Sequence, residues 1–255
     1  MRIRILVAAG LASVLTASAS AMHTAAPLPP SMARPLTPVI LDPGHGGNDF
    51  GAVVKDLQEK NIALAVALKL RDRIKGDVPV MLTRDDDTFV PLDHRVINAV
   101  DWNGAVFVSI HLNKVRNKKT AGATVYSYGP DHRHLRRRFH KHPIPKMPAP
   151  PGVDASESEY LAGSMVKAMR EDGLRVEEAK SDYYVLKNPA QPSVLVEIGY
   201  LSNPDEAARL NDPAYQDKLV AAMAKAIEAY ASERSLRAEP EATVTASAAL
   251  APARL

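Results

Sequence analysis

The chain has 255 residues, is 46% hydrophobic and 24% charged, carries a formal net charge of +3, and contains no cysteine. That balance suits a folded domain and lacks the broad basic excess that nucleic-acid binding requires, so no nucleic-acid partner is expected. The missing cysteines exclude disulfides, thiolate metal ligands and a cysteine nucleophile together.

Met1 to Arg4 is basic, Ile5 to Ala21 is apolar and rich in small residues, and Ala19-Ser20-Ala21 has the small-x-small pattern of a signal-peptidase site. The run is short of the roughly 20 strongly apolar residues of a spanning helix, and Ser and Thr interrupt it. Residues 1–21 therefore read as a cleaved signal peptide. The mature chain is expected in the periplasm or the extracellular cell envelope, with no stable membrane insertion. No Cys follows to carry a lipid. Residues 22–37, rich in Pro and Ala, read as a linker, and residues 38–232 are long enough for one domain with its own core. Residues 233–255 are rich in Ala and Pro, bury too little to offset the entropy of ordering, and read as a disordered tail.

Within 38–232, short apolar runs alternate with helical patterns, which argues for an α/β fold with a parallel or mixed sheet and helices on both faces. Strands are expected at Val39–Leu41, Pro79–Leu82, Val106–Ile110, Thr124–Tyr128, Tyr183–Leu186 and Val194–Ile198. Glu59 to Lys75 is apolar nearly all round, as a well-buried helix would be. Further helices are expected at Leu92–Trp102, at Glu159–Glu171, from Pro204 with Asn203 as N-cap, and over Pro213–Ala231.

Four residues on this framework carry the chemistry. His45, in Asp42-Pro-Gly-His-Gly-Gly47, follows the first strand; Glu59 opens the helix after it; His111 and Glu197 end two apolar strands. Ligands of open α/β sheets bind beyond the carboxyl ends of the strands, so this topology brings all four to one rim. Two imidazoles and one carboxylate form a hydrolytic zinc set with an open position, and the second carboxylate is a candidate general base. Each has a plainer reading. The Gly-rich turn could be only a turn, His111 alone would be a hydrogen-bonded core residue, and Glu197 could be a structural ion pair. The glycines around His45 suggest backbone kept thin to leave room for substrate. No GxGxxG, Gly-Lys-Ser/Thr, Gly-x-Ser-x-Gly or His-Glu-x-x-His pattern is present.

The stretches LDPGHGGNDFGA, QEKNIALAVALKLRDRI, TRDDDTFVPLDHRVINA, VFVSIHLN and QPSVLVEIGYLSNPDEAARL, in that order from about Pro38 to Tyr230, strongly resemble the zinc-dependent N-acetylmuramoyl-L-alanine amidases of the amidase-3 type. These are bacterial cell-wall hydrolases. The resemblance implies a single α/β domain around a mixed, mostly parallel six-stranded sheet. It implies Zn2+ held by His45, Glu59 and His111, with Glu197 as the catalytic glutamate. The implied reaction, on a peptidoglycan substrate, is hydrolysis of the amide between N-acetylmuramic acid and L-alanine in wall remodelling, daughter-cell separation or recycling. A monomer is expected. Leu112 and Trp102-Asn103 depart from the pattern, while Arg84 and Asn113 fit it and are expected to shape the site. The rival readings are a zinc peptidase acting within the stem peptide and a non-catalytic wall-binding protein of the same fold. Asp131 to Lys146, DHRHLRRRFHKHPIPK, is a basic, His-rich and Pro-rich insert, expected to lie beside the groove and attract anionic wall polymer rather than plug the site.

Overall fold

Strands buried on both faces read as unbroken apolar runs. Val39–Pro43 (β1), Val106–Asn113 (β5), Ala123–Tyr128 (β6) and Ser193–Tyr200 (β8) are of this kind. In the computed structural model these four join Val80–Leu82 (β4) and Val176–Ser181 (β7) in a six-stranded sheet of order β4-β1-β5-β8-β6-β7. All neighbours run parallel except β6 and β8, which are antiparallel. Two short strands, Val53–Val54 (β2) and Leu57–Gln58 (β3), form a separate hairpin ahead of the first helix. The structure describes residues 37–102, 106–130, 151–188 and 191–237. The expected signal peptide, nearly all of the linker, the basic insert Asp131–Lys146 and most of the tail lie outside the described residues.

Alternation along the strands sends side chains to two layers of unequal depth. On one face, Glu59–Ile74 (α1), Ala155–Glu171 (α3) and Pro213–Arg237 (α5) pack on Leu41, Val108, Ile110, Val196 and Ile198. Pro204–Leu210 (α4) adds Ala207 and Leu210 to the same layer. The opposite layer is smaller. There Ile40, Phe107, Tyr126 and Leu195 meet Ala99 of Leu92–Asp101 (α2) and Val185 and Leu186 of a 3-10 turn. Among the described residues no helix is long and apolar enough to cross a membrane.

Two expectations are corrected. Tyr183–Leu186 is not a strand: Tyr184–Lys187 is a 3-10 turn that buries Val185 and Leu186 while Tyr183 and Tyr184 stay exposed, a pairwise pattern that a period of two cannot produce. The sixth strand is instead β7, VEEAKS, whose acids face water along the sheet's edge and hide its period. The last helix runs on to Arg237, past Ala231 and past the 232 boundary. Asn203 caps α4 as expected, accepting from the N–H groups of Asp205 (3.0 Å) and Glu206 (3.2 Å), with Pro204 in the first turn.

Candidate metal centre

β1 ends in Asp42-Pro43, and the chain then turns sharply through Gly44-His45-Gly46. His45 is one of two non-glycine residues described with positive φ, at 60°, a conformation that must be held by its surroundings. Two buried arginines hold it. Arg84 donates to the carbonyls of Pro43 (3.0 Å) and Gly44 (2.7 Å), and Arg95 donates to those of Pro43 (2.8 Å) and His45 (2.7 Å). Arg95 is itself anchored on Asp42 at 2.7 Å, and Asp42 also accepts from Thr83 (2.6 Å) and Ser109 (2.7 Å). Burial alone would raise the Asp42 carboxyl; the Arg95 charge and these hydrogen bonds outweigh it and hold it below its ordinary value. The carbonyls of Pro43, Gly44 and His45 thus have charged donors, that of Gly46 accepts from the Asp49 N–H at 3.0 Å, and the His45 ring is aimed by a turn held at each of these carbonyls.

Gly44 has a reason other than room for substrate. A Cβ there would stand 2.3 Å from the His111 ring, so the glycine makes room for the second histidine. Gly51 does the same on the other side, where a Cβ would stand 2.6 Å from Glu59 Oε2 and 2.8 Å from His45 Nε2. The expectation that the glycines around His45 clear space for substrate is corrected to this extent: the space at Gly44 is filled by the His111 ring.

Glu59 is the first residue of α1, where the unpaired N–H groups and the positive end of the helix dipole favour a carboxylate. Its Oε1 lies 3.1 Å from His45 Nε2 and 2.9 Å from His111 Nδ1, and it accepts from the Leu112 N–H at 2.9 Å. Its Oε2 accepts from the Ala52 N–H at 2.7 Å. Burial would raise Glu59, but hydrogen bonds from His111 and His45 win and keep it ionised well below the carboxylate range. His45 Nδ1 meets Asp49 Oδ2 at 2.8 Å, which turns Nε2 inward. One donor atom from each of His45, Glu59 and His111 lies within 4.8 Å of the others. A tetrahedral zinc with bonds of 2.0–2.2 Å sets its donors about 3.4 Å apart, so the cluster fits the ion in spacing and in donor type.

Glu197 stands beside this cluster because β8 pairs with β5 in a register that places it opposite His111. Its Oε2 is buried with no hydrogen-bond partner. Burial, aided by the negative charge of Glu59 and opposed by the two histidines, pushes its carboxyl up to about 7. All four residues line one cavity of about 330 Å3, walled on one side by Leu92, Tyr183 and Tyr184.

The family described as N-acetylmuramoyl-L-alanine amidase matches residues 39–229, which span all six strands of the sheet, helices α1 to α4 and most of α5. The chain belongs to that family. It is 30% identical over 214 residues to the germination-specific N-acetylmuramoyl-L-alanine amidase of Bacillus subtilis, covering 77% of this chain and 80% of the relative. It is 29% identical over 225 residues to the amidase AmiA of Escherichia coli, covering 75% of each. Among solved structures, the catalytic domain of CwlV from Bacillus (Paenibacillus) polymyxa superposes with a TM-score of 0.64 at 31% identity, over 76% of this chain and 98% of that one. The CwlD amidase of Clostridioides difficile, solved in complex with the GerS lipoprotein, does so with a TM-score of 0.63 at 31% identity, over 77% and 99%. The chain is an N-acetylmuramoyl-L-alanine amidase, an enzyme acting on peptidoglycan, and the peptidase and non-catalytic readings fall away.

Within this amidase the described structure brings His45, Glu59, His111 and Glu197 to one cavity. Asn113 lines it as well, and Arg84 acts on its floor through main-chain carbonyls. Asp42, Asp49 and Arg95 were not legible as site residues. The signal for Arg95 lay in an exposed-looking helix: a lone Arg, 2% exposed, on the face of α2 that meets the sheet.

Proposed function

We propose that the metal is zinc, held by His45, Glu59 and His111, and that Glu197 is the general base and then the general acid of amide hydrolysis. The observation that carries this is the side-by-side placement of a three-donor cluster, all atoms within 4.8 Å, and a buried carboxylate oxygen with no partner of its own. Zinc bound there supplies Lewis acidity, bringing water within reach of ionisation near neutral pH and polarising the carbonyl of the scissile amide. Glu59 offsets one of the ion's two charges, and the histidines offset none, so a net positive site remains for the developing oxyanion. Glu197 takes the proton of the attacking water on its free Oε2 and delivers it to the nitrogen of the departing L-alanine. A carboxyl poised near neutrality suits both transfers, and the bound cation would draw it back toward the ionised form the base needs. Leu92 and the two tyrosines keep one wall of the cavity apolar, which strengthens each charge inside it.

The reading extends to the ends of the chain: residues 1–21 are an export signal, the mature enzyme begins near Met22, and it acts on peptidoglycan in the envelope. A relative from Staphylococcus saprophyticus that is named a probable cell wall amidase, LytH, supports this placement. Metal analysis and mass spectrometry of digested peptidoglycan test the proposal together. One zinc per chain, lost in His45→Ala and His111→Ala, with release of peptides bearing a free L-alanine amine, is expected. Full zinc in those variants, or cleavage between amino acids of the stem, would overturn it.

A further inference from the structure

Lys114 lines both the metal cavity and a second, larger groove of about 650 Å3 beside it. Four cations line this groove, Lys55, Lys114, Arg116 and Lys118, against one acid, Asp56. Elsewhere on the surface Lys69, Lys180 and Lys225 each meet a carboxylate. Among the described residues none of the four groove cations is in an ion pair. Concentrated, unpaired like charge is costly to hold together unless something anionic visits it.

The cations do not ride on a loose loop. Val115 N–H donates to Ser202 Oγ at 3.1 Å, Asn203 Nδ2 donates to the Thr120 carbonyl at 3.3 Å, and Leu201 N–H donates to the Asn113 carbonyl at 2.9 Å. Lys114 Nζ donates to the Val53 carbonyl at 2.9 Å, tying the loop to the hairpin that forms the far bank. The groove also runs in one direction from the metal. Its floor residues Leu201 and Ala207 belong to the helical layer of the sheet, whereas the Tyr183–Tyr184 wall rises over the opposite layer, beside Val185 and Leu186. The reacting centre therefore has an apolar bank on one side and a basic bank on the other.

We propose that this groove is the stem-peptide subsite, and that it recognises a carboxylate carried by the second or third residue of the peptide being released. The inference rests on the amidase reading above. Lys114 follows His111 by three positions, just past the end of β5, a reach of at most about 10 Å, the span of two to three residues of extended peptide beyond the scissile bond. The leaving side of the substrate is the side that carries carboxylates, and the sugar side, uncharged near the bond, falls to the apolar bank of Leu92 and Tyr184. Substrate polarity across the site follows: glycan toward the 3-10 turn, peptide toward the hairpin and α4.

The test compares two soluble substrates, an N-acetylmuramoyl tripeptide with free carboxylates on its second and third residues and the same compound amidated at both, on the wild type and on the Arg116→Glu/Lys118→Glu double variant. Exposed pairs contribute modestly one by one, so several together should favour the acid by roughly tenfold in kcat/KM. That preference should reside in KM, shrink in high salt, and vanish or reverse in the double variant, with zinc content unchanged. Binding of both ligands to Glu197→Gln, which needs no turnover, should give the same order. Equal use of the two substrates by the wild type, or a preference that survives the double variant, overturns the inference while leaving the amidase standing. Failure to cleave either substrate with zinc bound overturns both.

Discussion

Asp42 and Glu197 stand on the same face of the sheet, one strand apart on either side of β5, and both are buried carboxylates. Asp42 is fully subscribed. Arg95, Thr83 and Ser109 all donate to it, and although burial opposes ionisation, these partners hold its carboxyl below the ordinary value. Glu197 keeps an oxygen with no donor, and burial pushes its carboxyl up to about 7. Desolvation acts on both; at Asp42 the Arg95 charge and three hydrogen-bond donors outweigh it, and at Glu197 the opposing histidines do not. A buried acid that is satisfied fixes geometry, and one left unsatisfied holds a protonation state in balance, which is what proton transfer needs. The Asp42 region holds the His45 turn, and the Glu197 region is where the proposed proton transfer would take place.

Arg95→Met breaks the structural half of this comparison and should have the largest effect. It strips a buried carboxylate of its ion-pair partner and two turn carbonyls of a donor, a class of change that costs about 3–5 kcal/mol. Chemical denaturation should show that loss, and zinc affinity should fall with it as the His45 turn relaxes. Retention of wild-type stability would show that the Asp42 cluster is incidental. Asp49→Asn is milder and local. Removing the carboxylate that orients His45 Nδ1 should weaken zinc binding about 10- to 100-fold in a chelator competition, with unfolding nearly unchanged. Unaltered affinity would mean that the ring is aimed by the turn alone. The smallest effect is in acid. Because the Asp42 carboxyl is held below 3.8 when folded, its contribution to stability is complete above that pH and is lost as pH falls through the folded value. The slope of unfolding free energy below pH 4 should therefore be shallower in Asp42→Asn than in the wild type, and equal slopes would remove Asp42 from the account.

Much of the framework was legible because buried strands and the α1 helix write their burial into continuous apolar sequence. Val106 to Asn113 and Ser193 to Tyr200 could scarcely be anything else. The edge strand Val176–Ser181 was not legible, since an edge tolerates Glu177 and Glu178 facing water and a Lys180 paired with Glu159, and the apolar Tyr183–Leu186 run drew the strand reading to itself. The gathering of His45, Glu59, His111 and Glu197 on one rim followed from where each sits on its element. Asp42 and Arg95 were a different problem. They are 53 residues apart, each is an ordinary charged residue in its local pattern, and only the packing of α2 on β1 makes them a pair. The supporting shell of a site is set by tertiary contact, so it leaves little local trace.

The central claim is that Glu197 moves the proton while the three-donor cluster holds the metal. Steady-state turnover of Glu197→Gln on peptidoglycan, at zinc content matched to the wild type, tests it most directly. The amide keeps the shape of the side chain but cannot accept a proton, and its oxygen has no hydrogen bond to lose. The account predicts a fall of about 10²–10⁴-fold in kcat with unfolding unchanged. Turnover within a few-fold of the wild type would contradict it and make Glu197 a structural residue.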